Sequence, residues 1–577
     1  MVDNFSGFKW LARMWIVALA AALVISGLSA ARQLRKVPDF PYGCDPFGYL
    51  RMAQEIRRAT GSGTLPEFAL ESEQTRLLIN LMQSRQVQLP SWLHMVAPHA
   101  HHYFPQANRV GVQYPPGTGL TLALFPERTA VHDLNRALVW LLVIAGLALL
   151  VLAGVRGAWI AAGFVTLAMQ FAMEILMSIQ DLSYSINALL APLLISCLCL
   201  FAARRVLANE EKIWRARLWS LLSGLAFGFA VLDRLPVMLL LPGFLLIIWR
   251  NSWSAFIKEG AAAFCAGLSI SGIFPLLIHQ QKLAGAWFLP TYAAYDNTTP
   301  NLAIILRNVS FYISATPGSE FNWWLLVFVA GFVGFAFALR HATAIMPLAQ
   351  SLNKSQMALA TLALWCVPTA YFLTHEVTIS YYLLPSTFAV AVFLALGVFT
   401  IEMRAAAVTS SSPHNSLFRF TANGWRNLAL VLALMPGGLA LERAWSLSQL
   451  PSPPPSQAHN VTLPAEVSDE HAWVWADMYT GTLWYYAQKP AYKITFSDPA
   501  TRALVFRFVF DRGEPQYLIR DSPDMQKMMD EISGLGGALE PRGEIDHQPY
   551  YLIHWPPSGP ATQNALQTSK PAMKAFA

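Results

Sequence analysis

Met14-Trp15-Ile16-Val17-Ala18-Leu19-Ala20-Ala21-Ala22-Leu23-Val24-Ile25-Ser26-Gly27-Leu28-Ser29-Ala30-Ala31 contains no charged side chain. A helix of this length, rising 1.5 Å per residue, nearly spans the hydrocarbon core of a bilayer. Comparable stretches recur near 135–153, 158–177, 186–202, 217–232, 236–250, 260–279, 321–340, 356–373, 379–400 and 427–445, which gives about eleven crossings. The composition agrees, since 55% of the 577 residues are hydrophobic and only 13% are charged. Such a chain has lipid as its main solvent, and the expected fold class is a polytopic α-helical membrane protein.

Basic residues set the expected orientation, because short loops rich in Lys and Arg stay in the cytoplasm. With the N-terminus inside, the inner loops collect Arg156, then Arg204, Arg205, Lys212, Arg215 and Arg217, then Arg250 and Lys258, then Arg340 and Lys354, and finally Arg404, Arg419 and Arg426. This is a multi-pass protein of the plasma (inner) membrane with an extracytoplasmic C-terminus. Topology accounts for the net charge of +6 and gives no reason to expect nucleic acid as a partner. Lys9 to Ser29 has the look of a secretory signal, but its apolar part is long and lacks a small-residue cleavage site, so an uncleaved first helix is expected.

Three segments then lie outside: a loop over 32–134, a loop over 280–320, and everything after 446. The first carries amphipathic stretches such as Glu73 to Leu89, suited to helices lying in the membrane interface. In the second, Tyr292, Tyr295 and Asp296 precede an Asn-Thr-Thr-Pro run and suggest a mobile loop. A linker over 446–460, with Pro451-Ser452-Pro453-Pro454-Pro455-Ser456, separates a membrane domain (1–445) from a small α/β domain (461–560), and 561–577 reads as a disordered tail. Strands are expected at Trp473–Ala476, Tyr517–Arg520 and Tyr550–Ile553, with helices over Gly481–Gln488 and from Pro523. Of five cysteines, Cys197, Cys199, Cys265 and Cys366 fall in or beside spans and Cys44 alone faces outside, so no disulfide joins the outer segments.

Asp45-Pro46-Phe47-Gly48-Tyr49 follows the first span, and Asp45, Tyr49 and Ala53 share one helix face at i, i+4 and i+8. Asp before Pro is an ordinary helix start; a carboxylate at the bilayer boundary is equally placed to act as a general base. Tyr114-Pro115-Pro116-Gly117-Thr118-Gly119-Leu120 precedes the second span, and Tyr479-Thr480-Gly481-Thr482-Leu483-Trp484-Tyr485-Tyr486 opens the C-terminal domain. In order and spacing these motifs resemble the GT-C glycosyltransferases, nearest the protein O-mannosyltransferases and the lipid A aminoarabinose transferases. The resemblance covers most of the chain in layout. It implies a GT-C-like enzyme that takes a sugar from a polyprenyl-phosphate carrier at the outer membrane face and passes it to a lipid, glycan or protein acceptor. One base and direct attack imply inversion. Relatives often have a second acid beside the first, where this chain has Pro46, which puts a paired-carboxylate mechanism there in doubt.

Asp181 lies in the turn between the third and fourth spans, where the resemblance implies an acidic residue of the catalytic cleft that orients the acceptor or helps to hold a metal; capping of the next helix is the alternative. Asp233-Arg234-Leu235-Pro236 fills another outer turn. Arg234 offers a planar fork of donors for phosphate oxygens, against a local ion pair or headgroup contact, while Lys282 and Arg307 are weaker candidates. His375 and Glu376, with Tyr381 and Tyr382 just beyond, fall where the resemblance places groups facing the carrier phosphate or the sugar. Glu174, near a span end, requires a partner. His94, His99, His101 and His102 invite a metal, but their spacing matches no standard site. No cofactor is assigned; a divalent cation at Asp45 and Asp181 stays open. The competing class is a transporter or flippase for a lipid-linked substrate, which calls for mid-membrane ionisable groups and inverted repeats.

The orientation is checked by cysteine labelling at Ser456 and Ser411. Opposite accessibility is expected, and the same answer at both sites would break the eleven-span topology.

Overall fold

The structure is a computed structural model that describes residues 4–34, 45–178, 184–208, 213–249, 253–291, 301–313, 333, 354–375, 380–409, 418–451 and 461–560. It divides into two compact units: residues 1–37, 131–275 and 298–456, and residues 38–130, 276–297 and 457–577.

The first unit is helical. Among the described residues, seven helices are long and apolar enough to cross a membrane: Trp10–Gln33, Glu127–Arg156, Trp159–Ser178, Tyr184–Leu207, Ile213–Asp233, Trp253–Ala284 and Tyr381–Glu402. Leu235–Ile248, Leu302–Tyr312 and Leu359–Leu373 are shorter apolar helices. The chain is thus a polytopic, largely helical membrane protein. The segment expected to cross at 236–250 is a 3₁₀ turn, Leu235–Leu240, followed by a short helix, Leu241–Ile248. Pro236 and Pro242 supply no N–H to an α-helical ladder, so each falls in a first turn. The expected span 321–340 lies outside the described residues except for Val333. Part of the expected mobile loop over 280–320 is helical, Leu302–Ile313, whereas Tyr292, Tyr295 and Asp296 lie outside the described residues.

Trp159–Ser178 is almost wholly buried and forms the axis of this unit. A Cβ added to Gly163 would come within 2.9 Å of the Gly437 backbone, so small residues let the two backbones approach. Polar groups on the axis are answered from within the protein. Gln170 donates to Ser26 Oγ and to the Ala440 carbonyl, each at 2.8 Å. Glu174 accepts from Arg443 Nη2 at 2.8 Å, which supplies the partner its position requires. At the other end Glu402 accepts from the N–H groups of Ile160 (3.0 Å) and Ala161 (2.9 Å), satisfying donors that a first helical turn leaves unpaired.

The second unit contains both sheets. Strands β1 (Ala69–Leu70), β2 (His101–Phe104) and β3 (Arg109–Val112) form an antiparallel sheet in the order β1-β3-β2. Strands β4 (Trp473–Ala476), β5 (Tyr492–Lys493), β6 (Gln516–Ile519), β7 (Ala538–Ile545) and β8 (Gln548–His554) form the second, in the order β5-β4-β6-β8-β7. β5, β4 and β6 are parallel, and β8 and β7 join antiparallel. Helices Thr480–Tyr486, Pro499–Asp511 and Pro523–Gly534 lie between strands. β7 was not expected: it is mostly exposed, and a register shift between Pro541 and Gly543 breaks its alternation.

The core of this unit draws on both the first loop and the C-terminal segment. Leu70, Leu78, Met82, Trp92 and Met95 pack in one cluster with Trp473, Trp475, Tyr492, Phe506 and Leu518. Backbone bonds reinforce it, since Lys493 N–H donates to the Met95 carbonyl at 3.1 Å. Helix Glu73–Ser84, expected to lie in the membrane interface, instead turns Leu78, Ile79 and Met82 into this protein core. The helix is amphipathic, and a protein core, not lipid, covers its apolar face. Gln74 also donates to the carbonyls of Glu470 and Ala472, both at 3.1 Å.

Leu78→Ala is expected to cost about 2–5 kcal/mol, the usual range for emptying a buried leucine site. Thermal unfolding of the detergent-solubilised protein measures this. A helix lying on lipid would show no such loss.

Candidate functional site

Two groups of the expected residues are described, one in each unit. In the first unit, helix Ile213–Asp233 ends and Arg234 turns extended (φ −154°, ψ 110°) before Pro236 opens the next turn. This puts a guanidinium in the interior, with Arg234 only 6% exposed. Its Nη1 donates to Ser185 Oγ at 3.1 Å, and its Cζ lies 5.1 Å from the Tyr382 ring centre and 5.7 Å from that of Tyr381. A cation over aromatic faces recovers part of its lost hydration, about 0.5–2 kcal/mol for each such contact.

Tyr382 is held in turn. It stacks on Phe372 (4.7 Å, 26°) and His375 (5.8 Å, 15°). Asn308 Nδ2 gathers the end of helix Lys354–Leu373, donating to the carbonyls of His375 (2.6 Å), Leu373 (2.9 Å) and Phe372 (3.3 Å). Arg234, Tyr381 and His375 therefore converge as one cationic, aromatic cluster. Sequence reasoning missed Ser185 and Asn308. The signal for Asn308 was an amide beside Arg307 in a largely apolar helix. Asp181 and Glu376 lie outside the described residues. Lys282 contributes only a carbonyl contact from Arg109 at 3.5 Å, and Arg307 donates to Asn308 Oδ1 at 3.2 Å.

In the second unit, helix Asp45–Ser62 begins at Asp45, whose side chain lies outside the described residues. Tyr49, four residues on, stacks on Tyr114 at 4.5 Å and 28°. The Tyr114 carbonyl is bonded to His279 Nε2 at 3.1 Å, and its hydroxyl accepts from Gln113 Nε2. Glycines join the three motifs. A Cβ on Gly48 would come within 3.0 Å of the Tyr114 ring, one on Gly119 within 2.6 Å of Met52, and one on Gly481 within 2.6 Å of Phe47. Helix Asp45–Ser62 is thus clamped by the Tyr114–Leu120 segment on one side and the Tyr479–Tyr486 segment on another. Arg51, on the same helix, pairs with Glu55 at 2.8 Å.

The four histidines also sit in this unit. Burial first, and Lys493 in each case, hold His94 and His101 down to about 4 and His99 and His102 down to about 3. His101 Nδ1 bonds the His99 carbonyl at 2.9 Å, and the rings of His94 and His102 meet edge to face at 5.9 Å. Among the described residues, no group of three His, Cys, Asp or Glu side chains is arranged to hold a metal. The cluster is a buried neutral polar core. Asp521 beside it accepts from the N–H groups of Asp477 (3.0 Å) and Tyr479 (2.5 Å), and burial pushes its carboxyl up to about 6.

No protein-family model and no curated protein matches the chain. Two solved structures are similar to it. One is ArnT from Cupriavidus metallidurans in the apo state, at 14% identity and a TM-score of 0.46, covering 95% of this chain and 98% of that one. The other is the archaeal oligosaccharyltransferase AglB from Archaeoglobus fulgidus, in complex with an inhibitory peptide and a dolichol-phosphate, at 11% identity and a TM-score of 0.39, covering 88% and 70%. Likeness at this level assigns no role to a residue, so the chemistry rests on the side chains themselves.

The histidines predict a pH response. Their folded values lie below the unfolded value of about 6.5, so their contribution is intact above 6.5 and is lost as pH falls toward 4 and 3. Asp521, raised, opposes this. The melting temperature should drop steeply between pH 6.5 and 4, and His101→Asn should flatten that slope by up to about 1.4 kcal/mol per pH unit. An unchanged slope in the variant would show that the histidines do not control it.

Proposed function

We propose that the protein is a GT-C-type membrane glycosyltransferase that moves a hexosyl or pentosyl group from a polyprenyl-phosphate carrier to an acceptor hydroxyl at the outer face of the plasma membrane. The observation that supports this reading is the buried guanidinium of Arg234, seated on Tyr381 and Tyr382 beside His375. A fixed cation of this kind suits the phosphate of a lipid carrier, whose tail can remain in the apolar phase.

In this reading Asp45 takes the proton of the acceptor hydroxyl as its oxygen attacks the anomeric carbon. The bond from that carbon to the carrier phosphate breaks, and Arg234 meets the charge that develops on the departing phosphate. Attack opposite the leaving group inverts the anomeric centre. Asp181 orients the acceptor or helps to hold a divalent cation, and Tyr49, Tyr114, His375, Glu376 and Tyr381 serve in substrate binding. The acceptor is a lipid, glycan or protein hydroxyl, and the C-terminal α/β segment is extracytoplasmic. A lipid-linked substrate moved without bond chemistry would use the same phosphate contacts but would have no use for a base at Asp45.

Transfer from a polyprenyl-phosphate sugar by purified variants separates these readings. Asp45→Asn should fold with stability within about 1 kcal/mol of the parent, since Asn also suits a helix start, yet lose transfer by about two orders of magnitude or more. Undiminished transfer would remove Asp45 from the chemistry. Arg234→Ala should weaken donor binding, and Arg234→Lys should rescue it only in part, because lysine keeps the charge but not the planar face that rests on the tyrosines. Equal donor affinity in parent and Arg234→Ala would leave Arg234 a structural cation.

A further inference from the structure

Parallel pairing of β4 with β6, with Trp475 opposite Leu518, brings the turns that follow the two strands side by side. Asp521, after β6, accepts the Asp477 N–H at 3.1 and 3.0 Å on its two oxygens and the Tyr479 N–H at 2.5 Å. Ser522 Oγ returns the contact, donating to Asp477 Oδ2 at 2.7 Å. Burial first, then the Asp477 carboxylate, push Asp521 up to about 6, so at neutral pH it is ionised and both oxygens accept. A buried carboxylate is costly unless it is hydrogen-bonded. Here its donors stand just ahead of helix Thr480–Tyr486, whose N-cap residue, Tyr479, makes no side-chain cap of its own. Asp521 does from the neighbouring strand what a capping side chain does locally.

The bridged turn reaches the helix of Asp45 by two routes, both within the second unit. Gly481 and Tyr485, four residues apart on one helix face, hold the Phe47 ring. A Cβ on Gly481 would come within 2.6 Å of that ring, and the Tyr485 ring centre lies 6.3 Å from it. Along the other route, Thr480 Oγ1 donates to the Asp477 carbonyl at 3.1 Å and accepts the His99 N–H at 3.3 Å. Ala100 follows His99, and a Cβ on Gly48 would meet it at 2.9 Å. Phe47 and Gly48 both belong to the first turn of helix Asp45–Ser62. A displacement of the Asp477–Thr480 turn is therefore passed to that first turn from two sides.

We propose that Asp521 is a positioning residue for the transfer reaction: by bridging the turns after β4 and β6 it fixes Phe47 and Gly48, and with them the first turn from which Asp45 acts. This rests on the reading in which Asp45 is the base. Asp521 contacts neither substrate nor reacting atoms in this role; it acts through one turn of backbone and one aromatic ring.

Amide hydrogen exchange and transfer from a polyprenyl-phosphate sugar are measured on the full detergent-solubilised chain. Asp521→Asn turns one accepting oxygen into a donor. It should speed exchange over Tyr49–Met52, whose N–H groups close the first turn, about tenfold, the equivalent of about one charge-assisted bond, and leave helix Pro499–Asp511 unchanged. It should lower kcat by about ten- to a hundredfold at an unchanged donor KM, the scale of a small misplacement at the reacting centre. In an Asp45→Asn background the same change should cost nothing further, since no base is left to place. A residue that only supports the fold would lower transfer by the same factor in both backgrounds. If Asp521→Asn does not fold, Gly481→Ala displaces Phe47 with Asp521 intact and should give the same three results. Unchanged exchange over Tyr49–Met52, or an equal loss of kcat with and without Asp45, overturns the proposal. Full transfer by Asp45→Asn alone is a separate failure, which removes the base and the proposal with it.

Discussion

Charge and polarity inside a membrane helix have to be satisfied by protein, and helix Trp159–Ser178 shows how this chain does it. Glu402 closes its first turn, Gln170 bridges to Ser26 and Ala440 midway, and Glu174 meets Arg443 near its end. Together the contacts reach three other helices, Asn4–Gln33, Leu384–Thr409 and Phe418–Gln449, so the polar groups choose the axis's neighbours as well as offsetting their own desolvation. Loss of any one partner would leave a buried group unanswered, at about 1–3 kcal/mol or more for a charge. Close packing of this kind also needs small residues, and Gly163 against Gly437 supplies one such approach.

The second unit meets a different constraint with the same economy of residue types. Gly48, Gly119 and Gly481 each stand where a side chain would strike an aromatic ring or a methionine, so each lets two chain segments touch. The three motifs that gave the family resemblance are therefore a packing device as well as a candidate reaction site. Helix Asp45–Ser62 is fixed on two sides, and with it the position at which the chain enters that helix. A base needs a rigid carrier, and three close contacts are a way to provide one.

Most of the membrane helices were legible because an uninterrupted apolar run has few other readings. The run over 236–250 looked like one more crossing, and the structure has a 3₁₀ turn and a short helix there, because Pro236 and Pro242 each have to open a turn. The amphipathic period of Glu73–Ser84 was equally legible, but periodicity reports only that a face is covered. Trp473, Trp475 and Phe506, some four hundred residues away in sequence, cover it, and nothing local could have said so. The same limit applied to the site. Arg234, Tyr381 and His375 were selectable as polar or aromatic residues at helix ends, whereas Ser185 and Asn308 act through hydrogen bonds that only the tertiary arrangement defines. The histidine cluster is the converse case: four imidazoles close in sequence invited a metal although their spacing matches no standard site, and the fold packs them beside Lys493, where burial holds their values down.

Arginine at position 234 is favoured over lysine on physical grounds. A lysine ammonium is a compact, strongly hydrated charge, and burying it here would forfeit that hydration. The guanidinium is planar and weakly hydrated, so one face can rest on Tyr381 and Tyr382 while its edge directs several N–H donors in fixed directions. Charge-assisted bonds from such an edge to a phosphate are worth about 1.5–3 kcal/mol each. Because Tyr382 also stacks on His375 and Phe372, and Asn308 holds their carbonyls, the guanidinium's support reaches three helices. A charge that rests on a braced aromatic platform does not reorganise when a negative charge develops in front of it, which is the condition for electrostatic stabilisation of a departing group.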